Sequence, residues 1–434
     1  MFGINEKIVI GYDLSQEYVQ ISYCSVQDPV PETVALTPGT EQYNIPACLF
    51  KRSEVNQWFF GKEAIAYSAV EEGTMMQHLL EHALIGETMQ IGEELIDPVA
   101  LLALFIKRSF SLIAATIKLK QVVKIIFTVP DLSPRAIQVL EKMCALLEFG
   151  DGICGFQGRE ESIYAYLIHQ QKELWQYEVS VFDFSTDILN CYQFSVNRHT
   201  TPTVAFVDKI GSTQLNAGDD EKDAALLQVI LDVTKHRIVS CAYLIGDGFN
   251  GGWCRESLKE LCRNRRAFKG NNLYSRGACY AAWEKMDSTN KQNSIIFLGK
   301  DKLKANVGMD VLREGKESYI ALLNGGENWY DSRKECDFLL ADSNSFGIRI
   351  TPLDGRNARM VEISLPGLLP RREKTTRLHL NIFMGSEQTV QIKVTDMGFG
   401  EIFPSSGQTF EQEISLYEDK EADIKADTEL NAGT

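Results

Sequence analysis

The chain has 434 residues, of which 44% are hydrophobic and 24% charged, and its formal net charge is −15. This composition is typical of globular proteins and excludes collagen-like, coiled-coil and low-complexity classes. The length predicts about three domains. The acidic charge argues against nucleic acid as a general partner, because phosphate backbones repel an acidic protein.

Neither a membrane span nor a secretory signal is expected from the sequence. The longest wholly apolar run covers residues 99–106, whereas a spanning helix needs about 20 such residues. The first residues lack the basic start and apolar core of a signal peptide. Ten cysteines are scattered along the chain without CxxC spacing. With only six histidines as well, this pattern gives little support to a zinc site, and it predicts a reducing, cytoplasmic compartment.

Strand and helix patterns alternate over the first 290 residues. We predict strands over residues 7–12, 18–24, 121–129, 179–184, 189–197, 203–208 and 242–245. Helices are predicted over residues 98–118, 133–149, 160–174, 221–235, 255–263 and 278–286. The alternation predicts an α/β fold with two lobes, covering residues 1–150 and 151–290.

The pattern changes after residue 290. Residues 287–293 are polar and are interpreted as a linker. Residues 294–416 contain short strands separated by Gly, Pro, Asn and Asp, namely 318–323, 347–351, 360–365, 377–383 and 389–395. That spacing predicts a β-sandwich. The charged segment 417–434 is predicted to be a disordered acidic tail.

Several short strings follow one another in an order that matches a known family. They lie at residues 45–48, 60–64, 84–86 and 128–130, then at 181–183, 243–248 and 277–278, and finally at 366–401. In this order they resemble the seventy-kilodalton heat-shock (DnaK-type) chaperones of the actin-like ATPase superfamily. The resemblance also fits an uncharacterised bacterial family of reduced architecture. It implies a reduced actin-like two-lobe ATPase fold followed by a C-terminal β-sandwich that binds substrate.

The resemblance also implies a nucleotide site. Its candidate contacts are two phosphate loops, an adenosine loop and a glycine in the last helix of the second lobe: Asp13, Ser15 and Gln16; Asp183, Ser185 and Thr186; Gly246, Asp247 and Gly248; and Gly277. Asp13 and Asp183 are the catalytic candidates if the site is active, because oxygen ligands suit Mg²⁺. The alternative is that both carboxylates cap the turns that follow their strands, or that they survive from an active ancestor.

The loops depart from the family in ways that argue against catalysis. Such cradles use glycines so that backbone N–H groups can approach phosphates. Here neither phosphate loop carries one, Glu17 adds a negative charge, and His82 lies near the position of the family's lysine. Only 62 residues separate Asp183 from Gly246, too few for the subdomain that covers the base. We therefore expect ATP or ADP with Mg²⁺ to bind weakly or not at all.

Four apolar residues of the last region are candidates for polypeptide contact: Met309, Leu312, Phe338 and Phe346. The alternative is that they form ordinary core. Together these features predict a chaperone-like pseudo-ATPase scaffold that binds a polypeptide or partner protein through its β-sandwich, and neither nucleic acid nor a membrane. A slow Mg²⁺-dependent ATPase and an actin-like assembly protein are the alternatives.

Overall fold

The computed structural model describes residues 6–37, 39–53, 55, 57–92, 94–185, 187–200, 202–215, 218–286, 295–341, 344–353, 356–372 and 374–417. The chain divides into two compact units. The N-terminal unit comprises Met1–Asn197 and Thr203–Ile295, and the C-terminal unit comprises Arg198–Pro202 and Ile296–Thr434. The predicted linker and acidic tail lie outside the described residues, apart from Tyr417.

The first half of the N-terminal unit is organised around one mixed sheet. Its elements are β1 (Ile8–Leu14), β2 (Tyr18–Ser25), β3 (Glu32–Thr33), β4 (Ile45–Pro46), β5 (Leu49–Arg52), β6 (Trp58–Phe60), α1 (Gly61–Ser68), β7 (Gly73–Met76), α2 (Leu79–Ile85), β8 (Met89–Ile91), β9 (Glu94–Ile96), α3 (Pro98–Ser109), β10 (Val122–Val129), α4 (Pro134–Leu146) and β11 (Cys154–Gly158). The strand order is β11–β10–β1–β2–β3, with β1, β10 and β11 parallel and β2 and β3 antiparallel to their neighbours.

The second half repeats this arrangement. Its elements are α5 (Arg159–Ile168), β12 (Glu178–Ser185), β13 (Ile188–Asn197), β14 (Thr203–Gln214), α6 (Asp219–Thr234), β15 (Val239–Ile245), α7 (Arg255–Leu261), β16 (Arg266–Gly270) and α8 (Leu273–Met286). The strand order runs β16–β15–β12–β13–β14, with the same parallel and antiparallel pairs. The mixed α/β architecture is therefore confirmed, and β1 and β12 occupy equivalent central positions.

Local sequence signals explain several of these boundaries. Asp97 accepts a hydrogen bond from the Val99 backbone N–H and caps α3, which has a proline in its first turn. Ser133 caps α4 in the same way. The helix predicted over 98–118 ends at Ser109 and continues as a 3₁₀ turn. The first sheet extends to Gly158, eight residues beyond the predicted end of the first lobe.

Two helices cross between the halves and pack against each other. The strand β11 leads directly into α5, whereas α8 covers β1, β2 and β10 of the first sheet. At the crossing, a Cβ atom added to Gly277 would lie 2.0 Å from the Ser162 carbonyl oxygen. Gly277 therefore allows the two helices to approach closely, and both helices start beside the central strands.

The C-terminal unit consists of antiparallel strands. These are β18 (Ala305–Arg313), β19 (Lys316–Leu323), β20 (Arg333–Leu340), β21 (Ser345–Pro352), β22 (Arg359–Ser364), β23 (Thr376–Met384), β24 (Thr389–Asp396) and β25 (Thr409–Ser415), after a short strand β17 (Ile295–Phe297). One sheet has the order β19–β18–β21–β22 and the other β20–β23–β24–β25. All five strands predicted here from the sequence are present.

The two sheets share one hydrophobic core. Alternate residues of each strand point inward, including Val307 and Ile350 of the first sheet and Leu380 and Val394 of the second. At its edge Asp396 is fully buried and accepts two hydrogen bonds of 2.7 Å from Arg371. Further hydrogen bonds reach it from Ser406 and from the Gly398 backbone. Within the described ranges, no helix is both long and apolar enough to cross a membrane.

Candidate functional site

The repeated topology places two aspartates in equivalent positions. Asp13 lies near the end of β1 and Asp183 near the end of β12, and both are buried, with exposures of 0% and 1%. A buried carboxylate is costly unless a charge or hydrogen-bond donors compensate it. The groups around these two carboxylates therefore decide what the site can do.

A guanidinium lies between the two carboxylates. Arg159 is the first residue of α5, directly after β11. Its Nη2 atom lies 3.7 Å from Oδ1 of Asp13, and its Nη1 atom lies 3.6 Å from Oδ2 of Asp183. The guanidinium also lies 4.4 Å from the centre of the Tyr274 ring, in a cation–π arrangement. One arginine thus links the central strands of both halves.

The two carboxylates have different surroundings. Asp183 accepts hydrogen bonds from the Tyr274 hydroxyl at 2.8 Å and from the Ser185 hydroxyl at 3.1 Å. Among the described residues, neither oxygen of Asp13 has a hydrogen-bond partner. Burial raises the pKa of Asp13 from 3.8 to about 6, although the attraction of Arg159 opposes this rise and the charge of Asp183 adds to it. Burial and the neighbouring Asp183 carboxylate hold the pKa of the Tyr274 hydroxyl well above its usual value.

The predicted first phosphate loop is a compact turn whose polar groups are already bonded. The Ser15 hydroxyl donates to the Tyr18 carbonyl at 2.7 Å and accepts from the Tyr18 backbone N–H at 3.2 Å. The Gln16 side-chain oxygen accepts from the backbone N–H of Glu81, at the start of α2. The Glu17 carboxylate lies 3.6 Å from His78 Nδ1. These side chains hold the turn together and fix it to α2.

The predicted adenosine loop packs onto the end of β12. Gly246 has a φ of +97°, and a Cβ atom there would lie 2.4 Å from the Phe184 carbonyl oxygen. A Cβ atom on Gly248 would lie 2.4 Å from the Phe184 ring. The Asp247 carboxylate accepts hydrogen bonds from the side-chain amides of Asn44, Asn250 and Asn271. The two glycines are therefore required by close packing against Phe184.

The remaining predicted contacts differ in their outcome. Gly277 lies in the crossing of α5 and α8, where its packing against Ser162 explains the glycine. Thr186 lies outside the described residues. Sequence reasoning missed Arg159 and Tyr274, because each lies just before a predicted helix: the helix predicted over 160–174 begins at Arg159, and the one predicted over 278–286 begins at Leu273. An arginine directly after a buried strand, at the start of a helix, was the available signal.

The four apolar candidates of the C-terminal unit line one groove. Its volume is about 1220 Å³, and Met309, Leu312, Phe338 and Phe346 all contribute to it. Phe338 and Phe346 meet edge to face, with ring centres 5.0 Å apart, and pack against the shared core. Met309 is buried, whereas Leu312 is 68% exposed. The prediction of ordinary core thus fits Met309 and does not fit Leu312.

The groove is lined by the end strands of the two sheets together with parts of β18 and β21. β19 ends one sheet and β20 ends the other, and residues of both strands line the groove. Three further apolar side chains face solvent here, namely Tyr319 (43% exposed), Ile320 (39%) and Leu339 (47%). Charged side chains of both signs surround them, including an ion pair between Asp310 and Arg349.

Comparisons with known proteins divide the chain at nearly the same place as the structure. Residues 30–300 match the profile described as "Family of unknown function (DUF5716) C-terminal", which spans more than half of the chain. The chain belongs to this DUF5716 family. Residues 302–416 match a "Domain of unknown function (DUF8552)", so the boundary between the profiles falls close to the boundary between the two units at residues 295 and 296.

Structural and curated relatives add little to this family assignment. A non-polymerising mutant of MamK bound to AMPPNP is similar to this DUF5716 protein, with a TM-score of 0.39 and 10% identity over 64% of this chain and 99% of that chain. A similarity of this size does not define the function. No curated protein sequence matches the chain. The resemblance to heat-shock chaperones therefore stays a hypothesis drawn from the sequence.

Proposed function

We propose that this DUF5716 protein binds an extended polypeptide segment in the groove of its C-terminal unit. We propose further that its N-terminal unit is a scaffold that does not hydrolyse nucleotide. The observation that carries the proposal is the groove itself, to which β18 and the two sheet-end strands β19 and β20 all contribute exposed apolar side chains. Isolated exposed apolar residues are common, but a contiguous group at a groove indicates a binding surface.

The backbone of the end strands supports this type of ligand. A strand at the end of a sheet presents N–H and C=O groups that a further strand can pair with. In the described residues, β19 pairs only with β18, and β20 pairs only with β23. An extended segment can hydrogen-bond to either strand while its alternate side chains enter the groove. Main-chain pairing gives affinity with little demand on the sequence of the ligand.

The lining favours apolar side chains at those alternate positions. Leu312, Tyr319, Ile320 and Leu339 offer exposed apolar surface, and the Phe338–Phe346 pair provides an aromatic base. Burying one such side chain contributes about 1.5–3 kcal/mol. Removing one contact is therefore expected to weaken binding by about 10-fold to 100-fold.

The geometry around Arg159 supports the second part of the proposal. A guanidinium already occupies the space between Asp13 and Asp183, where an actin-like ATPase would need Mg²⁺-bound water. A divalent cation placed there would be repelled by Arg159. The side chains of the first loop are also bonded to their own surroundings, including Gln16 to the start of α2. We expect Mg-ATP turnover no faster than that of the Asp13→Asn variant, and clear turnover lost in that variant would contradict the scaffold role.

Binding is tested by fluorescence anisotropy with a labelled peptide that alternates leucine and serine. We expect saturable binding, and Leu339→Asp is expected to raise the Kd by at least about 10-fold. Ile402→Asp is the matched control, because Ile402 is 84% exposed in the same unit and does not line the groove. It is expected to leave the Kd unchanged. Equal affinities of wild type and Leu339→Asp, or no binding at millimolar protein, would overturn the proposal.

A further inference from the structure

A second cleft, in the N-terminal unit, has a different chemistry. Its volume is about 1130 Å³, and it extends along β15, β16 and the exposed sides of α5 and α8 towards the segment before β4. Neither Asp13 nor Asp183 lines it. A cavity of several hundred to about 1000 Å³ is the usual size of a small-molecule site. Because neither aspartate lines it, the cleft is distinct from the Arg159 centre.

One wall of this cleft is aromatic. Tyr243 and Phe268 stack with ring centres 5.0 Å apart at an interplanar angle of 21°, and Tyr166 meets Tyr243 edge to face at 5.7 Å. All three residues line the cleft. Phe268 and Tyr166 are half-buried, so part of each ring is accessible. A planar ring placed on this wall would gain stacking contacts of about 0.5–1.5 kcal/mol beyond area burial.

The cleft also contains a cation with unused hydrogen-bonding capacity. Arg276 of α8 lies with its guanidinium 5.5 Å from the centre of the Tyr166 ring. Its Nε atom is buried and has no hydrogen-bond partner among the described residues. Two further cations line the cleft: Lys269 donates to the Phe249 carbonyl, and Lys62 donates to the side-chain oxygen of Gln42. Arg276 as a whole is half-buried and lines the cleft, so an anionic oxygen placed there can accept a charge-assisted hydrogen bond from its guanidinium.

The rim opposite the aromatic wall is held in place by amides. Gln20, which is 1% exposed, donates from Nε2 to the Asn44 side chain at 2.5 Å and to the Asn271 carbonyl at 2.7 Å. Asn44 and Asn271 in turn donate to Asp247. This network joins the segment before β4 to the start of α8. It offers a ready-made polar rim. Of the cations that line the cleft, Arg276 is the one placed against the aromatic wall, beside the Tyr166 ring.

We infer that this cleft binds a small molecule that combines a planar ring with one anionic group, either a carboxylate or a phosphate monoester. The ring lies on the Tyr243–Phe268 wall, and the anionic oxygens accept from Arg276. This inference concerns the N-terminal unit and is independent of polypeptide binding in the other unit.

Isothermal titration calorimetry with defined probes tests the inference. The anionic probes are indole-3-acetate, which carries a carboxylate, and phenyl phosphate, which carries a phosphate monoester. The neutral counterparts are indole and phenol. We expect at least one anionic probe to bind about 10-fold or more tightly than its neutral counterpart, and the preferred probe identifies the anionic group. Absence of binding, or equal binding of charged and neutral probes, would overturn the inference.

Two variants and a control locate the site. Arg276→Gln is expected to abolish the preference for the anionic probe, and Phe268→Ala to weaken charged and neutral probes alike. Arg263→Gln is the control, because Arg263 is 73% exposed and pairs with Glu260 outside the cleft. Circular dichroism verifies folding, and Phe268→Ala serves as the test if Arg276→Gln is not folded. Unchanged binding by a folded variant would refute the assignment.

Discussion

Replacing Arg159 by alanine tests the electrostatic centre of the N-terminal unit. The substitution removes the guanidinium that lies 3.7 Å from Asp13 and 3.6 Å from Asp183, and leaves both carboxylates buried. Asp183 keeps its hydrogen bonds from Tyr274 and Ser185. In the described residues Asp13 has no such bonds, so it should bear most of the loss.

The size of the effect follows from the burial of the charges. Removing one partner of a buried ion pair typically costs about 3–5 kcal/mol. For a unit of this size, each kcal/mol lowers the melting temperature by about 2 °C. We therefore expect a decrease of about 6–10 °C at about pH 7.5.

The effect should depend on pH because Asp13 can protonate. In the wild type the pKa of Asp13 is about 6, and Arg159 holds it below the value that burial alone would give. Without Arg159 this pKa rises further, so the carboxyl is neutral at about pH 5 and needs no counter-charge. The destabilisation should be smaller at about pH 5 than at about pH 7.5.

Thermal and urea unfolding followed by tryptophan fluorescence report this change. Of the five tryptophans, Trp329 alone lies in the C-terminal unit, so the signal mainly follows the N-terminal unit. Arg263→Ala is the control, since exposed ion pairs contribute about 0–1 kcal/mol. A loss below about 1 kcal/mol in Arg159→Ala, or an equal loss at both pH values, would refute the reasoning.

Three further predictions concern the same framework. Asp13→Asn should flatten the pH dependence of the free energy of unfolding of the N-terminal unit. The raised pKa of Asp13 gives stability that is present below about pH 4 and lost as the pH rises through about 6, about 3 kcal/mol in all. Urea unfolding at several pH values measures this dependence, and an unchanged slope would contradict the prediction. Arg371→Ala should destabilise the C-terminal unit by about 3–5 kcal/mol at neutral pH. The loss should be smaller in acid, because Asp396 then loses its charge, although Arg371 lowers its pKa in the wild type. Calorimetry measures the unfolding of the two units separately. Gly277→Ala should lower the free energy of unfolding by about 1–3 kcal/mol through overpacking. Gly270→Ala is the control, because a Cβ atom there meets nothing within 4 Å. Equal melting temperatures of the two variants would argue against close packing at the helix crossing.

The local pattern predicted much of the fold. Buried apolar runs indicated β1, β10, β12, β13 and β15, and the helical patterns over residues 98–118 and 133–149 indicated the starts of α3 and α4. These features depend on neighbouring residues, so they can be recognised in a single sequence. The extent of α5 was predicted less well, because the helix expected over 160–174 ends at Ile168 and a separate 3₁₀ turn covers Lys172–Leu174.

The candidate sites show where such reasoning stops. The sequence indicated that Asp13 and Asp183 end equivalent strands, but it did not reveal the cation between them. Arg159 is distant in sequence from Asp13 and reaches it only because β11 and α5 pack against the centre of the sheet. Likewise, the apolar character of Leu312 and Phe338 was visible, but not that their strands belong to different sheets.

By itself, the sequence determined the α/β alternation, the change to short strands after residue 290 and the loss of glycine from both predicted phosphate loops. Tertiary structure alone decided that a guanidinium fills the space between the aspartates, that the glycines at 246 and 248 pack against Phe184, and that end strands of two sheets border one groove. The physical reason is the range of the interactions. Caps, strand runs and turns form between near neighbours, whereas charge compensation and groove formation join side chains from segments that only the folded chain brings together.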